Sequence, residues 1–263
     1  MGSTARLPPS PLTGREDVVN LSGETLDALF DGRLSLYQSR SGYRFSIDAL
    51  LLADFVSIKR GDRVVDLGAG NGILSLVLAQ SHPSAALVGI EIQASMVERA
   101  ERNVRLNRLQ RRVQIVSGDV RLGQALAAPA SFDVAVSNPP YRKPSSGRVG
   151  ANHERQMARH EMTGDLGDFL RAGAFFLREK GQMALIYPAV RSADLIFALR
   201  QARIEPKRLR MVHSFQGGEA SLLLVEGVKG GRAGLTVLPP LIIYRGGKKY
   251  SDEVAAILAG ARK

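Results

Sequence analysis

A carboxamide, two prolines and an aromatic ring stand side by side at Asn138-Pro139-Pro140-Tyr141. They follow an apolar run, residues 132–137, that predicts a buried strand. Because proline has no backbone N–H, consecutive prolines end the strand and leave the amide, two carbonyl groups and the ring at its carboxyl end. In open α/β sheets, ligands bind at that edge. A rigid turn without a ligand is the structural alternative.

A second segment that could bind a ligand is rich in glycine, follows a predicted strand and begins a helix. Its candidate binding residues are Asp66, Gly68, Ala69, Gly70, Asn71 and Gly72. Glycines let the backbone turn sharply and approach a ligand closely. A dinucleotide loop has G-x-G-x-x-G spacing, whereas this chain has G-x-G-x-G, and Asp66 would oppose a pyrophosphate. A sulfonium with an α-ammonium group suits the carboxylate better, and a turn of another nucleotide-binding fold is the alternative.

Two further acidic residues follow the next predicted strands. Glu91 stands 23 positions after Gly68 (91 − 68), close to the spacing of the acid that accepts hydrogen bonds from ribose hydroxyls. Asp119 follows the third predicted strand, where a solvated loop position is the alternative to a binding role. Together with the glycine-rich segment, these acids predict a site for a nucleoside-containing cofactor.

Alternating strand-like and helix-like segments from Arg63 onward have to position these groups. Strands are predicted at 63–67, 85–90, 113–116, 132–137 and 182–187, helices at 72–80, 93–107, 165–178 and 191–202, and a closing antiparallel pair at 209–214 and 222–228. This order predicts an α/β fold with a seven-stranded, mostly parallel sheet, helices on both faces and an antiparallel last strand.

The length of 263 residues suits one large domain. We expect a flexible leader at 1–30 and a single domain at 31–263, in which 31–60 extends over the cofactor pocket. No run approaches the roughly 18 apolar residues of a membrane span, and the first 20 residues lack the apolar core of a secretory signal. We therefore expect a cytoplasmic enzyme without membrane contact.

Cysteine is absent from the chain. This excludes disulfides, thiolate metal sites and a cysteine nucleophile, and it argues against cytosine C5 methylation, which proceeds through a covalent cysteine adduct. The four histidines show no metal-ligand spacing, so no metal ion is expected. The oligomeric state does not follow from the sequence.

The net charge of +11 favours an anionic partner, nucleic acid before a membrane surface. Basic residues cluster at 99–112, at 203–210 and directly after the Asn-Pro-Pro-Tyr segment. A solvated face is the alternative for the first cluster. The predicted RNA contacts are Arg142, Lys143, Arg148, Arg155 and Arg159.

Three separated segments resemble the bacterial tRNA1(Val) (adenine(37)-N6)-methyltransferase family: 37–53, the Asn-Pro-Pro-Tyr segment with its basic continuation, and 240–250. The resemblance implies a Rossmann-like class I methyltransferase that uses S-adenosylmethionine to methylate N6 of adenosine 37 in tRNA(Val). It assigns catalysis to Asn138, Pro139, Pro140 and Tyr141. It assigns cofactor binding to Phe45, Asp48, Asp66, Gly68, Ala69, Gly70, Asn71, Gly72, Glu91, Ile92, Asp119, Val120 and Asn138.

The implied chemistry depends on positioning and on fixed dipoles. The two N–H groups of an adenine amine would donate to Asn138 Oδ1 and to the Pro139 carbonyl, while Tyr141 would hold the base by stacking. A base in structured RNA must first be extruded into the pocket, which costs a few kcal/mol.

Three alternatives stay open on the sequence alone. A protein glutamine N5-methyltransferase acting on release factors also uses Asn-Pro-Pro-Tyr, but it normally carries a helical amino-terminal domain for its partner. A ribosomal RNA guanine-N2 methyltransferase is the second alternative. The third is an RNA-binding module without catalysis, against which the intact glycine-rich segment and Asn138 argue.

Overall fold

The computed structural model describes residues 23–40, 46–140, 164–247 and 249–260. The strands are β1 (Glu24–Leu29), β2 (Leu34–Ser39), β3 (Arg63–Leu67), β4 (Ala86–Glu91), β5 (Val113–Ser117), β6 (Phe132–Ser137), β7 (Leu177–Pro188), β8 (Ile204–Phe215), β9 (Ala220–Lys229), β10 (Thr236–Val237), β11 (Leu241–Gly246) and β12 (Lys249–Tyr250). The helices are α1 (Ile47–Phe55), α2 (Ile73–Ser81), α3 (Ala94–Leu106), α4 (Gly123–Leu126), α5 (Leu166–Phe176), α6 (Ser192–Gln201) and α7 (Asp252–Leu258). None of the helices in this described part of the chain is long and apolar enough to cross a membrane.

Ten of the described strands form one sheet in the order β12-β11-β8-β9-β7-β6-β3-β4-β5, with β10 beside β8. The five neighbouring strands β7, β6, β3, β4 and β5 run parallel to one another, and β9 lies antiparallel between β7 and β8. This order confirms the predicted Rossmann-like fold, and its seven strands are β3 to β9.

The carboxyl-terminal segment extends the sheet beyond those seven strands. Strand β11 pairs in parallel with β8, and β12 pairs with β11 in the antiparallel direction. Leu241 and Ile243 are both 1% exposed, so burial of their side chains accounts for the extra strand.

An amino-terminal hairpin replaces part of the predicted flexible leader. Residues 24–29 form β1, which pairs antiparallel with β2. Phe30, Asp31 and Gly32 turn the chain with positive φ angles of 54°, 55° and 83°. The hairpin is ordered because its apolar side chains are buried: Leu29 is 2% exposed and Leu34 is fully buried. Residues 1–22 lie outside the described part of the chain.

Two apolar layers sandwich the sheet. One contains residues of the hairpin, α1, α2, α3 and α7, and the other contains residues of α5 and α6. Within the sheet, Leu67 of β3 pairs with Ile90 of β4, and Asp66 pairs with Val136 of β6. The carboxyl ends of these three central strands therefore meet at one edge.

Candidate active site at the carboxyl edge of the sheet

The glycine loop, residues 68–72, follows β3 and leads into α2. Gly68, Gly70 and Gly72 all have left-handed φ angles, of 76°, 58° and 84°. A Cβ atom at Gly68 would lie 2.9 Å from Phe169 Cε1, and one at Gly72 would lie 3.2 Å from Ala100 Cβ. A Cβ atom at Gly70 would meet nothing within 4 Å. The outer glycines thus serve close packing on α5 and α3, while Gly70 faces the open space where a ligand can lie.

The amide groups of this loop point at protein acceptors. Five N–H groups do so, those of Gly68, Ala69, Gly70, Gly72 and Ile73. Both Gly68 and Ala69 donate to the carbonyl oxygen of Ile90, at 2.9 and 3.0 Å. A pyrophosphate needs unpaired N–H groups at such a turn, so this geometry does not favour a dinucleotide.

Glu91 closes the loop from the end of β4. It is 5% exposed, and its Oε2 accepts a hydrogen bond from Gly70 N at 2.9 Å. Its Oε1 accepts one from Gln93 N at 2.8 Å. Each carboxylate oxygen can accept more than one hydrogen bond, so Glu91 can hold the loop and also receive ligand hydroxyl groups.

Asp66 lies behind the loop and is 1% exposed. Ser75 Oγ, in the first turn of α2, donates to Asp66 Oδ2 at 2.8 Å. Burial raises the pKa of Asp66 to about 7, with the Ser75 hydrogen bonds opposing this and the Glu91 charge adding to it. The sequence predicted a direct contact with a ligand ammonium group. In the structure the carboxylate also binds Ser75 and so links β3 to the first turn of α2.

Asn138 follows β6 directly and stands beside the glycine loop. The hydroxyl of Ser137, which is fully buried, donates to the Leu67 carbonyl oxygen at 2.8 Å. This bond lies one residue beyond the last β3–β6 pair, Asp66 with Val136, so Asn138 and the glycine loop begin at neighbouring strand ends. Asn138 and Pro140 are half-buried and Pro139 is buried. The structure therefore brings the two predicted motifs together.

Asp119 follows β5 at the same edge, but a neighbour already holds its carboxylate. Arg121 donates to it from Nε at 2.8 Å and from Nη2 at 2.6 Å, and Arg121 N adds a bond of 2.9 Å. Hydrogen bonding by this guanidinium lowers the pKa of Asp119. A ligand amine at Asp119 would have to share these oxygens with Arg121.

The other predicted cofactor-binding residues differ in how deeply their side chains are buried. Ile92 is half-buried beside Glu91, whereas Val120 is 6% exposed and belongs to the core layer of α5 and α6. Ala69 packs against Gly89, and Asp48 is 6% exposed in the first turn of α1. Phe45, Tyr141 and the five predicted RNA contacts from Arg142 to Arg159 lie outside the described residues.

Arginines of the other two basic clusters are largely engaged within the protein. Arg99 and Arg102 bind Glu24 at 2.8 and 2.6 Å. Near β8, Arg208 binds Glu226 at 3.3 Å, and Arg210 binds Glu253 at 2.8 Å. These clusters therefore contribute structural ion pairs, which leaves fewer of their charges to bind RNA.

Ser75, Ser137 and Phe169 were not predicted from the sequence. Ser75 binds the Asp66 carboxylate, Ser137 binds the Leu67 carbonyl oxygen, and Phe169 packs against Gly68. No sequence motif marks these contacts, although Ser137 directly precedes Asn138. Among the residues that the structure describes, no group of three or more His, Asp or Glu side chains could hold a metal ion.

Comparison with known proteins agrees with this geometry. The family model described as "Methyltransferase small domain" matches residues 44–188. A protein of Porphyromonas gingivalis named tRNA1(Val) (adenine(37)-N6)-methyltransferase is 31% identical over 200 residues, which covers 74% of this chain and 78% of the relative. One of the same name from Tolumonas auensis is 28% identical over 180 residues, covering 65% and 73%.

Solved structures include a similar chain from Agrobacterium tumefaciens, described as a predicted O-methyltransferase. Its TM-score is 0.68 at 27% sequence identity, and the match covers 82% of this chain and 97% of that one. The family match takes in the glycine loop, Glu91 and Asn138. The chain thus belongs to the methyltransferase small domain family and, within it, to the family of tRNA1(Val) (adenine(37)-N6)-methyltransferases.

Proposed function

We propose that this protein transfers the methyl group of S-adenosylmethionine to the exocyclic N6 amine of an adenine in tRNA, adenosine 37 of tRNA(Val). The observation that carries the proposal is the hydrogen bond from Ser137 to Leu67, because it joins the end of β6, which Asn138 follows, to the end of β3, which the glycine loop follows. An acceptor-binding carboxamide and a cofactor loop then share one edge of the sheet. The names of the relatives supply the substrate.

The residues of the loop suit S-adenosylmethionine in three respects. Glu91 offers carboxylate lone pairs to ribose hydroxyl groups, and Gly70 leaves open space for the ligand. Asn71 is 1% exposed, and its Nδ2 has no hydrogen-bond partner among the described residues. A buried donor of this kind normally has a partner, which a bound ligand would provide. When bound, the cofactor supplies an electrophilic methyl group.

Asn138 and Pro139 would orient the amine. The carboxamide oxygen and the Pro139 carbonyl accept its two N–H groups, which turns the nitrogen lone pair out of the base plane. Proline has no N–H of its own, so this stretch of backbone offers acceptors to the amine. Catalysis then depends on orientation and preorganised dipoles, without a strongly basic side chain.

The net charge of +11 supports a nucleic-acid substrate. Since Arg99, Arg102, Arg208 and Arg210 form ion pairs within the protein, the basic stretch 142–159 is the stronger candidate for phosphate contacts. It begins four residues after Asn138 in the sequence (142 − 138). A tRNA substrate would place the reaction in the cytoplasm.

The test is a methyl-transfer assay on unmodified tRNA(Val) transcript, followed by digestion and mass spectrometry of the nucleosides. We expect N6-methyladenosine from the wild-type transcript and none from a transcript carrying guanosine at position 37. A ribose-methylated nucleoside would overturn the proposal in favour of O-methylation, as would methylation of a release-factor glutamine without any of tRNA.

A further inference from the structure

Asn103 of α3 and Asn107, which caps the carboxyl end of that helix, bind the backbone of β2. Asn103 Oδ1 accepts a hydrogen bond from Tyr37 N at 2.7 Å, and its Nδ2 donates to Tyr37 O at 3.2 Å. Asn107 repeats this pattern with Ser35, at 2.9 Å from Ser35 N and 2.7 Å to Ser35 O. The two carboxamides therefore satisfy the edge of β2 that faces away from β1, as a neighbouring strand would.

The spacing of the two asparagines fixes the register of the hairpin. Four residues along a helix rise about 6 Å, and two residues along a strand rise about 6.6 Å. Asn103 and Asn107 thus match Tyr37 and Ser35 one to one. Glu24 adds ion pairs from β1 to Arg99 and Arg102 on the same helix. The hairpin is therefore held along α3 in a single position.

Asn103 also reaches the glycine loop. Its Nδ2 donates a second hydrogen bond, to the Asn71 carbonyl oxygen, at 3.0 Å. Asn103 is fully buried, so removal of its amide would leave these backbone groups without a partner. One turn earlier on α3, Ala100 packs against Gly72. Helix α3 consequently supports the loop at two points, and one of them also binds the hairpin.

We propose that Asn103 is a positioning residue for the cofactor site, and that it couples docking of the hairpin to cofactor binding. This inference rests on the proposed function, which supplies the cofactor. Asn103 fixes the Asn71 peptide between two glycines in left-handed conformations, where the loop backbone is otherwise least constrained. Because coupling of two binding equilibria is reciprocal, the bound cofactor stabilises the docked hairpin in turn.

Asn107 provides a matched control, because it makes the same two bonds to β2 while its third hydrogen bond goes to the Asn103 carbonyl oxygen and not to the loop. The variants are Asn103→Asp and Asn107→Asp, each of which keeps an acceptor for the β2 amide and loses the donor. The measurements are the Kd of S-adenosylmethionine by calorimetry and the Tm without cofactor. We expect Asn103→Asp to raise Kd about tenfold, as for one lost hydrogen bond, and Asn107→Asp to change it less than about twofold.

Equal changes in Kd for the two variants would overturn the inference and leave Asn103 a packing residue. If Asn103→Asp does not fold, hydrogen exchange of the wild-type protein decides. Added cofactor should slow exchange of the Ser35 and Tyr37 amides; unchanged exchange at these amides would refute the coupling. Failure of the wild-type protein to bind S-adenosylmethionine would instead refute the proposed function, and the inference with it.

Discussion

Replacement of Asp66 by asparagine should stabilise the protein at neutral and alkaline pH. Burial raises the pKa of this carboxyl group from 3.8 to about 7 in the folded protein. The folded state then binds the proton more tightly than the unfolded state does. The resulting contribution to stability is full below pH 3.8 and is lost as the pH rises through about 7.

The size of the effect follows from the two pKa values. Each tenfold difference in proton affinity corresponds to about 1.4 kcal/mol, so the change from 3.8 to about 7 corresponds to about 4 kcal/mol at most. Asparagine cannot ionise and can still accept the hydrogen bond from Ser75 Oγ. The difference in unfolding free energy between Asp66→Asn and wild type should therefore grow in favour of the variant up to about pH 7 and then level off.

The assay is urea unfolding followed by circular dichroism at pH 5, 6, 7 and 8. Asp31→Asn is the control for loss of a negative charge at the surface, since Asp31 is exposed on the hairpin turn. A constant difference between Asp66→Asn and wild type across this range would refute the argument from burial. Cofactor affinity of the same variant separates two roles: a positioning role leaves Kd within a few-fold, whereas a direct ionic contact with the ammonium group would weaken binding strongly.

Three further predictions concern ligand binding and turnover. Glu91→Ala should weaken S-adenosylmethionine by about 1.5–3 kcal/mol in calorimetry, because a charged acceptor is lost; unchanged affinity would contradict its role. Asn138→Ala should lower kcat strongly and leave the cofactor Kd nearly unchanged, since the amide acts on the amine; unaltered turnover would make the motif a structural turn. An Arg155/Arg159 double alanine variant should bind tRNA more weakly and with a flatter salt dependence, each lost phosphate contact reducing the slope by somewhat under about one. Identical salt dependence for the variant and the wild-type protein would indicate that other residues contact the RNA.

The central sheet was predictable because its signals are local. The apolar run at 132–137 predicted β6 with its observed ends, and the helix predicted at 93–107 is α3 at 94–106 within one residue at each end. The glycine spacing and the acid at the end of β4, Glu91, likewise predicted the two halves of the candidate cofactor site. Each of these patterns lies within one strand–turn–helix unit, so no distant contact was needed to recognise it.

The amino-terminal hairpin could not be predicted in the same way. Its order depends on side chains far away in sequence: Asn103 binds Tyr37, and Arg102 binds Glu24. The loop motif likewise identified Asp66 as a candidate residue, but it did not predict the hydrogen bond between its carboxylate and Ser75. The ion pairs of the basic clusters could not be predicted either, because the sequence gives the number of arginines but not the carboxylates that bind them.

The hydrogen bond from Ser137 to the Leu67 carbonyl joins the ends of β6 and β3 inside the core. These two strand ends lead into the candidate acceptor motif and the glycine loop, and a buried hydrogen bond holds them together. A new substrate cannot be accommodated by sliding one strand past the other without breaking this buried bond. We therefore expect changes of substrate to arise in residues beyond Pro140, while the spacing of the two strand ends stays the same.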